Sequence, residues 1–390
     1  MIPLQERRVP AEFSLFNLAF RPFFLLAGAA GALLIGLWLY IYTSATISTY
    51  YGNGLLWHGH EMLFGFAIAV IAGFLLTAVR TWTSIQTLSG FWLASLALVW
   101  LAGRIVPFLP IPAIAVALTD LAFLPLLGMA LAWPLVRSRN YRNLVFLALL
   151  CGFFIANLLV HLQQLGLTRT ALDGLHGALY LVVLMMLIMG GRVIPFFTER
   201  GLGTFTAKRR PWLERLIIPL ALLWALSWAL QWPRTALLTA ALNFAAHLVR
   251  QSGWLSPRIA RVPLLWILHL GYLFMTLGFA LQCFSALGWL PASLALHAFG
   301  AGAIGSLTLG MMARVSLGHT GRPLEIPGSI RLAFALMLLA GLSRVLLPLA
   351  SLPYAFAIYT AGSLWVLAWL LFLLHYSRIL IRPRVDGLYG

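Results

Sequence analysis

The sequence predicts an all-α polytopic membrane protein of about twelve transmembrane helices, and three observations predict it. Of its 390 residues, 62% are hydrophobic and only 9% are charged, and the mean hydropathy is +0.95, outside the range of soluble globular domains. Apolar runs of about 20 residues, enough to cross a bilayer, recur along the chain between short polar breaks. Basic residues collect in alternate breaks, as they do where loops alternate between two sides of a membrane.

Taken in order, with Pro, Gly and Arg as punctuation, the spans fall at roughly 22-43, 57-79, 87-106, 111-135, 143-162, 170-191, 212-230, 234-250, 262-284, 291-313, 330-350 and 354-381. With both termini cytoplasmic, twenty-two of the 26 basic residues lie on the cytoplasmic face, Arg7 and Arg8 among them. Only Arg104, Arg169, Arg234 and Arg344 fall on the other. That split accounts for the formal net charge of +17 without a nucleic-acid partner. Cys151 and Cys283 both sit in apolar spans, which leaves no disulfide framework and no cysteine-rich metal site. The N-terminal MIPLQERRVPAEFSLFNLAFR is too long and polar before its first apolar run for a signal peptide and is expected to stay.

An internal repeat is also visible. His58, His176 and His297 open the second, sixth and tenth spans at intervals of 118 and 121 residues, and Arg80, Arg192 and Arg314 close the same spans. Arg104 and Arg344, 240 residues apart, keep the period. The chain therefore reads as a single transmembrane domain, 1-390, of three four-helix blocks, 22-137, 143-250 and 262-382. GRIVPF at Gly103 and GRVIPF at Gly191 match in letters but not in topological position.

Ionisable groups inside lipid-length helices are costly unless they bind or pair with something, so they mark candidate sites. The topology places His58, His60, His161, His176 and His297 in the outer half, and His247, His269, His319 and His375 in the inner half. Imidazole suits haem iron, copper and zinc, and the absence of usable thiolates or paired carboxylates points away from iron–sulfur clusters and calcium. His58 and His60 point about 200° apart on a regular helix and serve different partners. Small residues follow His58 (Gly65, Ala69, Gly73) and His297 (Ala301, Gly305), giving clearance for a neighbouring helix or a flat macrocycle. Asp173, one turn before His176, is placed to orient its imidazole or to cap the helix. Glu61 and Asp120 are expected to pair with Arg or His. Arg104 and Arg344 are placed to meet anionic groups such as haem propionates, or to snorkel to the interface. His319, in RVSLGHTGR, and His269 are candidates for an inner metal site, although each also reads as a packed or loop histidine.

The runs NLAFRPFF, WHGHEMLFGFAIAVIAGFLLTA, GGRVIPFFT, LLWILHLGY and HAFGAGAIG with MMARVSLGHTGR cover nearly the whole chain and resemble the NnrS family. The resemblance implies a twelve-span protein of the bacterial inner membrane that holds b-type haem and copper and acts in nitric-oxide metabolism or resistance to nitrosative stress. It implies nitric oxide or an iron–nitrosyl species as the small-molecule partner. His58, His60, His269, His297 and His319 match its motifs; His176 lies outside them. The expected haem pair is His297 with His58 or His60, and the histidine left over is available to copper. A membrane transporter and a non-catalytic haem-based sensor are the alternatives.

The charge split predicts that reporters fused at Gly52 and at Gly390 fall on opposite sides of the membrane. Both on one side would rule out an even number of spans.

Overall fold

The computed structural model describes residues 13–44 and 49–390; Arg7 and Arg8 lie outside the described residues. Every regular element among them is helical. In chain order these are α1 (Phe20–Ser44), α2 (Gly54–His60), a π-segment (Glu61–Ala67), α3 (Ile68–Thr83), α4 (Gly90–Ile105), α5 (Ala113–Leu121), α6 (Phe123–Arg137), α7 (Val145–Gln164) and α8 (Ala171–Leu202). They continue with α9 (Pro211–Ala229), α10 (Pro233–Ser252), α11 (Pro263–Ala286), α12 (Ala292–His297), a second π-segment (Ala298–Ile304), α13 (Gly305–His319), α14 (Gly328–Leu346) and α15 (Tyr354–Ile381). Short 3₁₀ turns, Val106–Phe108 and Leu347–Leu349, follow α4 and α14. The starts obey local chemistry. The Asn53 side chain caps α2 by accepting from the Leu56 amide at 2.8 Å. Proline opens α9, α10 and α11, where its missing N–H would have had no helical partner.

Eleven helical spans among the described residues are long and apolar enough to cross a membrane. The twelfth expected span, α10, is present as a 20-residue helix but is less apolar, because Asn243, His247, Arg250 and Gln251 lie along it. All four are buried, so its polarity faces protein. Outward-facing Trp92, Trp133, Trp212, Trp232 and Trp289 sit at or near helix ends, where indoles anchor membrane proteins at the interface.

The chain forms two compact units, whose borders cut across the four-helix blocks read from the spacing. The first takes the described residues up to Ala178 with Met312–Leu324 and Trp369–Gly390. Its core includes Phe20, Phe23, Phe66 and Trp369, all fully buried. Arg21, one of the expected cytoplasmic charges, is also fully buried. Its guanidinium donates to the carbonyls of Leu380 and Arg382 at 2.8 and 2.7 Å, satisfying acceptors that the end of α15 leaves open. In the exposed C-terminal tail, hydrogen bonds from Arg384 hold the Asp386 carboxyl down to about 2.

The second unit takes Leu179–Met311 and Glu325–Ala368. Trp224 packs edge-on against Tyr180 and Phe279 at 4.7 and 4.9 Å, and His247 stacks on Phe279 at 5.3 Å. Arg250 pairs with Glu214 and donates to the Leu187 carbonyl and the Tyr272 hydroxyl, both at 3.0 Å.

Two of the three blocks share local irregularities. The second and tenth spans each carry a π-segment, and each segment begins immediately after a histidine, His60 or His297. The third and eleventh spans each end in a 3₁₀ turn soon after an arginine, Arg104 or Arg344. By this register His60 corresponds to His297, whereas the spacing had paired it with His58. α8, which carries His176 and Arg192, is a single 32-residue α-helix, so GRVIPF and GRIVPF occupy different local structures.

α14 crosses the second π-segment closely. A Cβ on Gly341 would lie 2.7 Å from the Cα of Gly302, a backbone atom that cannot swing aside. Gly341→Val is therefore expected to cost about 1–3 kcal/mol through overpacking. A lower melting temperature in detergent checks this, with Gly36→Val, which meets nothing within 4 Å, as the neutral control.

Candidate metal centre

The first unit gathers six ionisable or amide side chains from five helices at one point. His60 and Glu61 come from the junction of α2 with its π-segment, Arg104 from the end of α4, Asp120 from α5, and Asn157 and His161 from α7. None is more than 9% exposed. Arg104 is the hub: it donates to Glu61 Oε2 at 3.2 Å and pairs with Asp120 Oδ1. Trp100 lies beneath the guanidinium, ring centroid to Cζ 5.9 Å, and its indole N–H donates to the Gly65 carbonyl of the π-segment at 3.2 Å. Two glycines make room for the arginine. A Cβ on Gly65 would stand 3.0 Å from Glu61 Oε2 and 3.1 Å from Arg104 Nη1, and one on Gly103 would stand 2.7 Å from Asp120 Oδ1.

Both histidines direct Nε2 at one carboxylate oxygen. Asp120 Oδ2 lies 2.9 Å from His161 Nε2 and 3.3 Å from His60 Nε2. Their other nitrogens are held from behind, His60 Nδ1 by Glu61 Oε1 at 3.1 Å and His161 Nδ1 by the Tyr50 hydroxyl at 3.2 Å. That is how proteins orient ligating imidazoles, with the second nitrogen anchored to a carboxylate or another polar group. Asn157 donates to Asp120 Oδ2 at 2.7 Å and offers Oδ1 to His60 Nε2 at 2.9 Å, while the Tyr51 hydroxyl lies 3.2 Å from the same nitrogen. His60 thus faces acceptors with both nitrogens, an arrangement satisfied by an imidazolium or by a metal ion at Nε2. Tyr50 and Tyr51 lie on the short segment before α2, which the Tyr50 amide pins to the Pro107 carbonyl at 2.9 Å. Burial, reinforced by the charge of Asp120, pushes the Tyr50 hydroxyl up to about 12, so it stays protonated at neutral pH.

Among the described residues, His60, Asp120 and His161 form the one group of three whose ligating atoms all lie within 4.8 Å of one another. Two imidazoles and one carboxylate suit a single first-row transition ion: copper, zinc or non-haem iron.

The other residues expected at a site lie elsewhere. His58, two residues from His60, stacks flat on Trp38 of α1 at 4.6 Å, so the two histidines do serve different partners. The small residues after His58 are covered by protein: Gly73 lies under Phe23 and Phe24, and Gly65 under Glu61 and Arg104. Close packing thus describes that stripe. His176 is half-buried on the first turns of α8 in the first unit. His297 belongs to the second unit and its Nδ1 donates to the Ser293 carbonyl at 2.7 Å. His319 lies in the first unit with its ring 5.5 Å from that of Phe20. His269 lies in the second, sharing a hydrogen bond with Thr198 Oγ1 at 2.9 Å. Arg104 is engaged internally by two carboxylates instead of facing an external anion. Arg344 donates to the Tyr354 hydroxyl at 2.7 Å and packs over that ring. Sequence reasoning listed His161 and flagged the pairing of Glu61 and Asp120. It missed Asn157, Tyr50 and Tyr51; the signal for Asn157 was a polar amide one helical turn before His161.

Removing one member of a buried ion pair strands the others, so Arg104→Leu is expected to destabilise the protein by about 3–5 kcal/mol. Arg344→Leu, which loses one exposed hydrogen bond, is expected to cost about 1 kcal/mol. Thermal unfolding in detergent compares the two; equal losses would deny Arg104 its central place.

A comparison with curated proteins returns no match. A family model described as NnrS protein matches residues 14–384. With nearly its whole length matched, on a helical architecture of membrane-spanning proportions, this chain belongs to the NnrS family.

Proposed function

We propose that the chain is an integral protein of the bacterial inner membrane, with both termini cytoplasmic, that binds haem and copper in nitric-oxide metabolism or resistance to nitrosative stress. One observation carries the metal half of this reading. His60 and His161 converge on Asp120 with their far nitrogens already anchored. Copper is assigned to these three residues, whose nitrogen and oxygen donors suit it and whose surroundings are too closely packed for a macrocycle. Haem of the b type is assigned to His297, whose Nδ1 is fixed by a backbone carbonyl. Bound haem and copper would supply sites for nitric oxide or an iron–nitrosyl species and for one-electron chemistry.

The protein's own residues fix this setting. Glu61 and Tyr50 orient the two imidazoles, Arg104 holds the carboxylates apart, and Asn157 bridges His60 to Asp120. A transporter is the second reading, favoured by the interrupted helices at corresponding positions of the second and tenth spans. A non-catalytic haem-based sensor would share the same ligands and differ only in lacking turnover.

Metal analysis and reduced-minus-oxidised spectra of alanine variants test the assignment. His60→Ala and His161→Ala are expected to lose most of their copper and keep the haem spectrum, and His297→Ala to lose the low-spin haem bands. Full copper in His60→Ala, or full low-spin haem in His297→Ala, would overturn the corresponding half.

A further inference from the structure

We propose that the His60–Asp120–His161 centre selects a monovalent soft cation, the cuprous ion, over divalent ions, and that Arg104 sets this selectivity. The inference rests on the metal-site reading above and adds the charge and class of the ion. Two carboxylates, Glu61 and Asp120, share one guanidinium, Arg104, in a cluster no more than 9% exposed. Among the described residues the ion pairs around this cluster include no other arginine or lysine. With both imidazoles neutral, as ligation requires, one negative charge is left over.

The electrostatics then discriminate between ions. Attraction to the site grows in proportion to the ion's charge, whereas the cost of leaving water grows with the square of that charge. One positive charge neutralises the cluster. Two leave a net cation inside apolar spans, where uncompensated charge is least tolerated. Donor type narrows the choice further. Alkali cations prefer oxygen ligands, whereas paired imidazole nitrogens suit copper, and the monovalent form of copper carries the required charge. Asp120 then serves as counter-charge and weak ligand. Glu61 stays on His60 Nδ1, and Arg104 keeps the total at one.

Arg104 is accordingly a selectivity residue that touches no metal. Replacing it with a neutral side chain leaves two negative charges and shifts the balance toward a divalent ion. Replacing Glu61 with glutamine retains a carbonyl acceptor for His60 Nδ1 and removes the excess negative charge.

Metal-free protein in detergent, under anaerobic conditions, would be titrated with Cu(I), with Ag(I) as its redox-inert surrogate, and with Zn(II). Competing chelators would give affinities, and His60→Ala would report binding at the centre. The native chain is expected to hold one Cu(I) or Ag(I) about a hundredfold or more tighter than Zn(II), a ratio that a single buried charge is large enough to produce. Arg104→Gln is expected to narrow or reverse that ratio by strengthening Zn(II) binding. Glu61→Gln, which keeps every ligand, is expected to weaken both ions, Zn(II) more, and it carries the test if Arg104→Gln does not fold. Zn(II) binding as tightly as Ag(I) at the centre of the native chain would overturn the selectivity and leave the metal site standing. Binding of every ion unchanged in His60→Ala would overturn the site itself.

Discussion

Arg104 sits at the end of an apolar span with its guanidinium between Glu61 and Asp120, and the architecture around it follows from keeping three charges out of water together. No member can be removed without stranding the other two in a medium that solvates them poorly. The need for space explains Gly65 and Gly103, and the need for further donors and acceptors explains Asn157, His161 and the two tyrosines before α2. Even the helical irregularity participates, since the Gly65 carbonyl of the π-segment accepts from the tryptophan beneath the arginine. A network with this many mutual hydrogen bonds holds its geometry.

The second unit meets a similar problem with a different charge balance. Arg250, also buried, pairs with Glu214 alone and completes its shell with a carbonyl and a tyrosine hydroxyl. One cation meets one carboxylate, so no charge is left over. The nearby His247 is engaged by Tyr272 and stacked on Phe279 instead of converging with another imidazole. The two arginines thus resemble each other in burial and differ in consequence. Around Arg104 two carboxylates share one guanidinium beside two convergent imidazoles, whereas Arg250 meets one carboxylate and one histidine that stacks elsewhere.

Several features were legible in particular residues. Glu61 and Asp120 stood out as carboxylates inside lipid-length runs, and pairing with arginine or histidine was the reading that cost least. The two-residue spacing of His58 and His60 implied separate partners, and they have them: Trp38 for one, the ion-pair network for the other. Arg21 and Arg250 were read as charges at the membrane surface and are buried, because an arginine surrounded by carbonyls or paired with glutamate needs no water. The α10 helix, read as a span like the others, is less apolar than they are, and its polar residues face protein.

The sequence by itself determined the helical class, the order of the helices and the family. These depend on local properties: run length, hydropathy and contiguous motifs, all of which survive averaging over neighbours. Only the tertiary structure decided that His60, Asp120 and His161 converge, that Asn157 joins them, and that Arg104 faces inward. Convergence depends on the rotational phase of each helix, and at about 100° per residue a single irregular turn redirects a whole face. The π-segments after His60 and His297 are such turns, and nothing in the spacing of the histidines announced them.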